Sequence, residues 1–284
     1  MTDMRGKTVV VTGATDGVGK EAALRLAEAG ASLVLVSRNP EKGQAVVASL
    51  QRQAHNENIQ FLQADLSRRA DVRRVAADIR ARCDRLDVLL NNAGAIFMRR
   101  AESADGIEMT LALNHLNYFL LTHELLGQLK ASAPARIVNV ASAAHRRGGI
   151  DFDDLEGGKS YAGWRAYSQS KLANILFTYE LSRRLSGAGV TANALHPGFV
   201  RTRFGSNNSL LAKIGIAIAM RVSGISVGAG GKTSVYLATS PDVDGATGGY
   251  YDQCSPVRSS AISYDEAVAA RLWEISAGMT GISG

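Results

Sequence analysis

The chain has 284 residues, of which 46% are hydrophobic and 20% are charged, which suits one large α/β domain or two small ones. The net charge is +6, but the Lys and Arg residues are spread along the chain with only short pairs among them, and no basic run is interleaved with aromatic residues. We therefore expect a solvated basic surface and no nucleic-acid partner. The two cysteines lie far apart, so no disulfide framework or metal site is expected. The first residues are not typical of a signal peptide, and no stretch reaches the roughly 18 apolar residues of a membrane span. We therefore expect a cytoplasmic protein.

Short β-branched segments alternate with helical patterns along the chain. The predicted strands cover residues 8–12, 32–37, 59–62, 86–90, 136–140, 190–195 and 249–252. The predicted helices cover residues 21–29, 40–53, 69–83, 106–129 and 166–185, and the glycine-rich stretch 224–231 is expected to be a turn between helices. This alternation, with strands that are almost wholly apolar, predicts a Rossmann-type doubly wound parallel sheet of about seven strands, with helices on both faces, in a single domain over residues 1–284.

A glycine-rich turn follows the first predicted strand. Its glycines allow positive φ and let backbone N–H groups approach a pyrophosphate, while the helix that follows adds its N-terminal dipole. A turn placed between a strand and a helix at the start of a βαβ unit is the setting expected for dinucleotide binding. The predicted cofactor contacts in this turn are Gly13, Thr15, Asp16, Gly17, Val18 and Gly19.

The end of the second strand favours NADP(H) over NAD(H). An acidic residue that binds the ribose of NAD(H) is expected about 20 residues after the glycines, but the chain reads Val36-Ser37-Arg38 there. The planar guanidinium of Arg38 suits a 2′-phosphate, so Ser37 and Arg38 are predicted to bind the phosphorylated ribose. An exposed loop arginine is the alternative, and the acidic Asp16 in the glycine turn counts against the phosphate interpretation.

Tyr167 and Lys171 lie four residues apart on a predicted helix and therefore share one face. A neighbouring ammonium favours the phenolate and lowers the phenol pKa from its usual value of about 10, which would give an acid/base catalyst. The spacing alone is common by chance. Ser142, however, follows the fifth predicted strand, at the sheet edge where ligands bind, and its hydroxyl can hydrogen-bond a substrate carbonyl.

Together these residues resemble the short-chain dehydrogenase/reductase family. The matching pieces occur in the family's order: Thr12-Gly13-x-x-x-Gly17-x-Gly19, Asp65, Asn91-Asn92-Ala93-Gly94, Asn114, Ser142, Tyr167-x-x-x-Lys171 and Pro197-Gly198. A narrower resemblance, to the retinol dehydrogenase-like branch, lies in residues 167–174, residues 196–202 and the tail around Tyr264-Asp265 and Leu272-Trp273. Membrane-bound animal members carry an N-terminal anchor that is not seen in this sequence, so we expect a soluble relative that acts on another lipophilic or secondary-metabolite carbonyl.

The resemblance implies a role for each matching residue. Tyr167 would donate a proton to the carbonyl oxygen, Lys171 would lower the Tyr167 pKa and bind the nicotinamide ribose, and Ser142 would orient the carbonyl. Asn114 would hold a water that links Lys171 to solvent. Tyr167 is also an implied cofactor contact. The other implied cofactor contacts are Asp65, Leu66, Asn92, Ala93, Gly94, Pro197, Gly198, Val200 and Thr202.

Segment 203–228 is apolar with scattered glycine and follows the cofactor loop. This position predicts a mobile substrate lid over a lipophilic substrate, with plain core packing as the alternative.

His115 and His145 lie close in sequence to Asn114 and Ser142, but neither has an evident carboxylate partner, so a polar or partly buried histidine is expected at each. The hypothesis is an NADP(H)-dependent oxidoreductase that interconverts a carbonyl and an alcohol. A C=C (enone) reductase, a non-catalytic NADP(H) sensor or scaffold, and a homodimer or homotetramer stay open.

Overall fold

A computed structural model of the chain describes residues 2–197 and 227–282, and the side chains of the second range from residue 231 onward. Within these ranges, eight strands form one sheet in the order β3-β2-β1-β4-β5-β6-β7-β8. All neighbouring strands are parallel except β7 and β8, which are antiparallel. The strands are β1 (Thr8–Thr12), β2 (Ser32–Ser37), β3 (Ile59–Gln63), β4 (Val88–Asn91), β5 (Ala135–Val140), β6 (Val190–His196), β7 (Tyr250–Asp252) and β8 (Ser255–Pro256).

Helices cover both faces of this sheet. They are α1 (Gly17–Glu28), α2 (Pro40–Ala54), α3 (Arg69–Arg82), α4 (Met109–Leu111), α5 (Asn117–Ala131), α6 (Gly163–Arg184), α7 (Val227–Thr239) and α8 (Glu266–Thr280). A single π-helical turn, Ala112–Leu116, joins α4 to α5, and short 3₁₀ turns occur at Ala143–Arg147, Pro241–Val243 and Ala261–Tyr264. Among the helices of the described ranges, none is both long and apolar enough to cross a bilayer.

Alternate residues of β1 face two separate hydrophobic cores. Val9 and Val11 are fully buried in a core that α1, α2 and α7 cover, whereas Val10 is fully buried in the opposite core beneath α3, α5, α6 and α8. Strand side chains alternate between faces, so a strand that is buried on both faces is expected to be almost continuously apolar. The doubly wound α/β fold predicted from this pattern is confirmed.

The number of strands and the start of one helix differ from the prediction. An eighth strand exists, but it spans only two exposed residues and carries no periodic signal. The long helix predicted for residues 106–129 begins at Met109, because the Glu108 carboxylate accepts hydrogen bonds from the N–H groups of Thr110 and Leu111 and so caps the helix start. That helix is also interrupted by the π turn, which the hydrophobic pattern does not reveal.

The prediction of a turn over residues 224–231 was wrong in part, because α7 already begins at Val227. Gly231 lies where α7 meets α1: a Cβ added there would come within 2.9 Å of Glu21 Cγ and 3.2 Å of the Ala22 nitrogen. Glycine in this stretch therefore allows close helix contact rather than a turn. The predicted lid over residues 203–228 falls almost wholly outside the described ranges.

Candidate active site

The carboxyl ends of β1, β4, β5 and β6 meet at one edge of the sheet. Strand register aligns Asn91 of β4 with Asn139 of β5, and Val140 of β5 with Leu195 of β6. The predicted residues that follow these strands therefore come together, with Gly13 after β1, Ser142 after β5 and Pro197 after β6. In open α/β sheets ligands bind in the crevice at this edge.

The glycine turn is fitted tightly against the loop after β4. Gly13 adopts a positive φ of 68°, and an added Cβ would lie 2.8 Å from Ala93 Cα. A Cβ on Gly19 would lie 2.3 Å from Asn92 Nδ2. Both glycines thus allow the main chain to approach Asn92 and Ala93 at distances that any Cβ atom would prevent.

Side chains of Thr12 and Asn92 lock this arrangement. The Thr12 hydroxyl oxygen accepts hydrogen bonds from the N–H groups of Asn92 at 2.9 Å and Ala93 at 3.0 Å. Asn92 Nδ2 donates in return to the Thr12 carbonyl oxygen at 2.8 Å. Asp16 caps α1 by accepting a hydrogen bond from the Gly17 N–H at 2.8 Å, while Thr15, Gly17 and Val18 lie half-buried in the same turn.

The predicted ribose and adenine residues lie at the ends of β2 and β3. Ser37 is buried, and its hydroxyl has no hydrogen-bond partner among the residues that the structure describes, whereas Arg38 beside it is exposed. The Asp65 carboxylate accepts hydrogen bonds from the N–H and the hydroxyl of Ser67. The Leu66 side chain is in the core, so only the backbone of Leu66 can face a ligand.

Tyr167 lies on the first turns of α6 and is 8% exposed. Burial raises the pKa of Tyr167 to about 12, and a hydrogen bond with Ser142 opposes that rise. The net direction is opposite to the lowering expected from the Lys171 spacing, because desolvation of the phenolate outweighs its stabilisation here. The protonated phenol is therefore the dominant form at neutral pH.

Lys171 lies one helical turn further along and is 3% exposed. Its ammonium donates a hydrogen bond to the Val140 carbonyl oxygen at 2.9 Å and lies 5.7 Å from the centre of the Tyr118 ring and 5.8 Å from that of Tyr167. Burial lowers the pKa of Lys171 to about 7, since the charged form loses its hydration. A small change in the surroundings of Lys171 can therefore shift its charge near neutral pH.

Asn114 lies within the π turn and faces the loop after β4. Asn114 Nδ2 donates hydrogen bonds to the Ala95 carbonyl oxygen at 2.9 Å and to Ser170 Oγ at 3.0 Å, and Asn114 Oδ1 accepts one from the Ala95 N–H at 2.8 Å. A Cβ on Gly94 would lie 3.2 Å from Asn114 Oδ1 and 3.4 Å from Lys171 Nζ. The absent side chain of Gly94 thus keeps the approach to both groups open.

The described residues therefore bring Asn114, Ser142, Tyr167 and Lys171 together at the edge that carries the glycine turn. Pro197 is half-buried just after β6, and the other predicted loop contacts, Gly198, Val200 and Thr202, lie outside the described ranges.

The sequence analysis did not name Tyr118, whose ring lies 5.7 Å from Lys171 Nζ. Its position four residues after Asn114 on a predicted helix places both residues on one face, so the spacing could have indicated it.

His145 supports the backbone at Ser142. Its Nδ1 lies 2.6 Å from the Ser142 carbonyl oxygen, and its Nε2 lies 3.1 Å from the Ser260 nitrogen, which carries the N–H. Nδ1 must therefore donate and Nε2 must accept, which is the pattern of a neutral imidazole. Burial also lowers the pKa of His145, in agreement with that state. The interpretation of His145 as a polar, buried histidine agrees with these contacts.

The residues at this edge fit a dinucleotide. Gly13 and Gly19 let the turn pack against Asn92 and Ala93 without a side chain between them, and this packed turn leads into the N-terminus of α1, whose N–H groups suit an anion. The buried Ser37 hydroxyl beside the exposed Arg38 offers a polar contact on the ribose side. The glycine turn and the Ser37-Arg38 pair, which lie at the ends of the neighbouring strands β1 and β2, would hold the pyrophosphate and a ribose of such a cofactor.

The family model for short chain dehydrogenases matches residues 7–210. This match covers more than half of the chain and contains the glycine turn, Ser142, Tyr167 and Lys171. The chain therefore belongs to the short-chain dehydrogenase family of oxidoreductases, whose members use a nicotinamide cofactor.

The chain is 41% identical to retinol dehydrogenase 11 of Homo sapiens over 277 residues, which cover 98% of this chain and 86% of that protein. An uncharacterised protein from Mycobacterium paratuberculosis superimposes with a TM-score of 0.79 at 33% identity, covering 99% of this chain and 96% of that one. A short chain dehydrogenase from Burkholderia cenocepacia in complex with NADP gives a TM-score of 0.69 at 26% identity, over 87% of this chain and 96% of that one. The predicted likeness to the retinol dehydrogenase-like branch is confirmed.

Proposed function

We propose that the protein is an NADP(H)-dependent oxidoreductase that interconverts a carbonyl and an alcohol on a lipophilic substrate, with Tyr167 as the general acid and base. The observation that carries this proposal is the meeting of Tyr167 with the Ser142 hydroxyl, one turn from a buried Lys171, beside the glycine turn. Two neighbouring hydroxyl groups can both hydrogen-bond a carbonyl oxygen, and the phenol can supply the proton that this oxygen gains when the carbonyl becomes an alcohol.

In the reductive direction, Tyr167 donates its proton to the carbonyl oxygen, and the bound nicotinamide supplies the hydride to the carbonyl carbon. Because burial raises the pKa of Tyr167 to about 12, the proton is in place before the reaction begins. In the oxidative direction the phenolate must accept the alcohol proton, and the positive charge of an oxidised nicotinamide would then favour the phenolate.

Lys171 and Ser142 would prepare the site for that proton transfer. The Lys171 ammonium, held against the Val140 carbonyl oxygen, stabilises a developing phenolate on Tyr167 whenever it is charged. Ser142 accepts a hydrogen bond from the Ala144 N–H at 3.2 Å and is hydrogen-bonded to Tyr167, so its hydroxyl would turn to a substrate oxygen that binds beside Tyr167. Asn114 would hold the water through which the proton is replaced from solvent.

Three observations support the preference for NADP(H): the buried Ser37 hydroxyl, which has no hydrogen-bond partner among the described residues, the exposed Arg38, and the related chain solved in complex with NADP. We expect Arg38→Glu to weaken NADPH binding by about 100-fold, because the phosphate loses a bidentate cation and meets a carboxylate instead. Dissociation constants from NADPH and NADH fluorescence titrations measure the effect.

The exposed Arg52 at the far end of α2 provides the matched control, since Arg52→Glu makes the same charge change away from the nucleotide edge. Equal loss of NADPH affinity in both variants would mean that only the general surface potential attracts the cofactor. Arg38→Glu with unchanged NADPH affinity would remove Arg38 from the site.

A lipophilic substrate is supported by the apolar surroundings of Tyr167. Ile96 is buried against Tyr167, and Met98 and Ala144 pack on the same cluster. The Trp164 ring lies edge-on to Tyr167 at 6.1 Å between ring centres and is 47% exposed. The curated relative named a retinol dehydrogenase agrees with an apolar alcohol or aldehyde as the substrate class.

We expect Trp164→Ala to raise KM for a long-chain or aryl aldehyde by about tenfold, because roughly 1–2 kcal/mol of apolar contact is lost. KM for a three-carbon aldehyde should change by less than about twofold, since such a substrate is too short to reach the indole. Ile262→Ala removes another exposed apolar side chain, from a separate 3₁₀ turn, and serves as the control. Parallel changes for both substrates would exclude a selective contact.

The proposed reaction is tested by NADPH consumption with a panel of lipophilic aldehydes, ketones and an enone, followed by product analysis. Alcohol products are expected. Reduction of the enone at its C=C bond alone would replace the proposal with the alternative chemistry. Tight NADPH binding without any turnover would favour a sensor or scaffold.

A further inference from the structure

A line of buried side chains connects the C-terminal helix to the π turn. Ser276 of α8 lies 2.9 Å, measured from its Oγ, from His115 Nε2. His115 Nδ1 lies 3.3 Å from Asn174 Oδ1 on α6. Asn174 Nδ2 then donates a hydrogen bond to the main-chain carbonyl oxygen of Asn114 at 2.9 Å. Each of these four residues is no more than 1% exposed.

The chemistry of the groups fixes the direction of these hydrogen bonds. Asn174 uses its Nδ2 on the Asn114 carbonyl, so the atom facing His115 is an oxygen that can only accept. A neutral His115 therefore donates from Nδ1 and leaves Nε2 as an acceptor. The Ser276 hydroxyl lies 2.9 Å from this Nε2 and also 2.7 Å from the Leu272 carbonyl oxygen, so its one hydrogen is shared between the two acceptors. Burial lowers the pKa of His115 to about 4, which agrees with a neutral imidazole. The donors of His115 and Asn174 then both point towards Asn114, and the shared Ser276 hydroxyl lies behind His115.

The π turn needs such support, because its main-chain hydrogen bonds depart from the α-helical pattern. The Asn117 N–H bonds to the Ala112 carbonyl oxygen, five residues back, as in a π turn. Side-chain amides serve two of the turn's carbonyls: Asn117 Nδ2 donates to Leu113 and Asn174 Nδ2 donates to Asn114. Asn174 can hold this position only while its own oxygen has a donor, and that donor is His115.

We infer that His115 is a positioning residue for the catalytic site: with Ser276 behind it, it orients Asn174, which fixes the backbone of Asn114. The inference rests on the proposed function for its effect on turnover, since Asn114 is placed in the proton path there. The hydrogen-bond chain itself can be measured without any activity. His115 thus acts through Asn174 and Asn114 and does not contact substrate.

Two hydroxyl deletions on the same helix separate positioning from general stability. Ser276→Ala removes a hydroxyl shared between His115 and the backbone of its own helix. Thr280→Val removes a fully buried hydroxyl whose bonds, within the described residues, run to the backbone of that helix alone. We expect Ser276→Ala to lower kcat about tenfold with KM for carbonyl and for NADPH unchanged within about twofold. Thr280→Val should keep the wild-type kcat. Equal kcat losses in both variants, or none in Ser276→Ala, would overturn the inference.

The Ala95 amide supplies a readout that is independent of turnover, because its N–H donates to Asn114 Oδ1. In the NADPH-bound protein, Ser276→Ala should shift the Ala95 amide resonance and Thr280→Val should leave it in place. An Ala95 resonance that Ser276→Ala leaves unmoved would contradict the inference even if the enzyme is active. Wild-type protein without carbonyl turnover would instead refute the proposed function, and the resonance would still decide the hydrogen-bond chain.

Substitutions of His115 test which of its nitrogens matters. Asn can present an amide N–H near the position of Nδ1, whereas Gln reaches towards the position of Nε2. We expect His115→Asn to keep more of the wild-type kcat than His115→Gln, because only Asn can still donate to Asn174. The same kcat in both variants, or a kcat that simply follows the melting temperature, would mean that His115 only fills space.

Discussion

Replacing Tyr167 with Phe is expected to lower kcat for carbonyl reduction by about 10²- to 10⁴-fold, the usual contribution of a positioned general acid. The substitution removes one oxygen atom and leaves the ring in its buried place beside Ile96. NADPH affinity should change little, because the glycine turn and the Arg38 region are untouched. Single-turnover oxidation of bound NADPH, followed by fluorescence, separates the chemical step from cofactor binding.

Tyr179 provides the matched control for this substitution. It lies twelve residues further along the same helix, is also buried, and its hydroxyl bonds to Ser259 Oγ at 2.7 Å. Tyr179→Phe therefore makes the same chemical change about 18 Å away along the helix axis. We expect it to cost some stability and to keep kcat. A Tyr167→Phe variant with wild-type kcat would remove Tyr167 from the proton path and leave the family assignment intact.

The fold was predictable because the buried strands are almost wholly apolar. Glycines such as Gly13, directly after β1, mark where such an apolar run ends. The predicted strands 8–12 and 32–37 matched the observed strands, since burial on both faces favours an almost unbroken run of apolar side chains. The two-residue strand β8 could not be predicted, because its exposed Ser255 and Pro256 show no period. Gly231 was misinterpreted, since a glycine that lets two helices touch looks like a turn glycine until the partner helix is known.

The candidate site was predictable where one residue type can perform the chemistry and its position follows from the strand order. Ser142, Tyr167 and Lys171 are of this kind. The pKa directions were not predictable, because they depend on burial and not on spacing: Tyr167 is desolvated more strongly than its neighbours stabilise its phenolate. The support of Asn114 by His115 also could not be predicted, since its hydrogen bonds join residues of three separate helical segments.

Gly19→Ala is expected to disable the cofactor site through a single methyl group. The added Cβ would lie 2.3 Å from Asn92 Nδ2 and 2.6 Å from the Gly13 carbonyl oxygen. Neither atom can move away freely, because Asn92 Nδ2 donates a hydrogen bond to the Thr12 carbonyl oxygen and the Gly13 oxygen belongs to the main chain. Displacing them costs about 1–3 kcal/mol of stability and moves the turn off the pyrophosphate. We expect NADPH affinity to fall by at least about 30-fold, with a lower melting temperature.

The control for that change is Gly127→Ala on α5, where an added Cβ meets no atom within 4 Å. Alanine should stabilise this exposed helical position by about 0.5–1 kcal/mol and leave NADPH affinity unchanged. The pair therefore separates the conformational preference for alanine in a helix, which is favourable at both positions, from the steric conflict, which exists only at Gly19. Wild-type NADPH affinity in Gly19→Ala would mean that the turn tolerates a side chain and that the close contact with Asn92 does not shape the cofactor site.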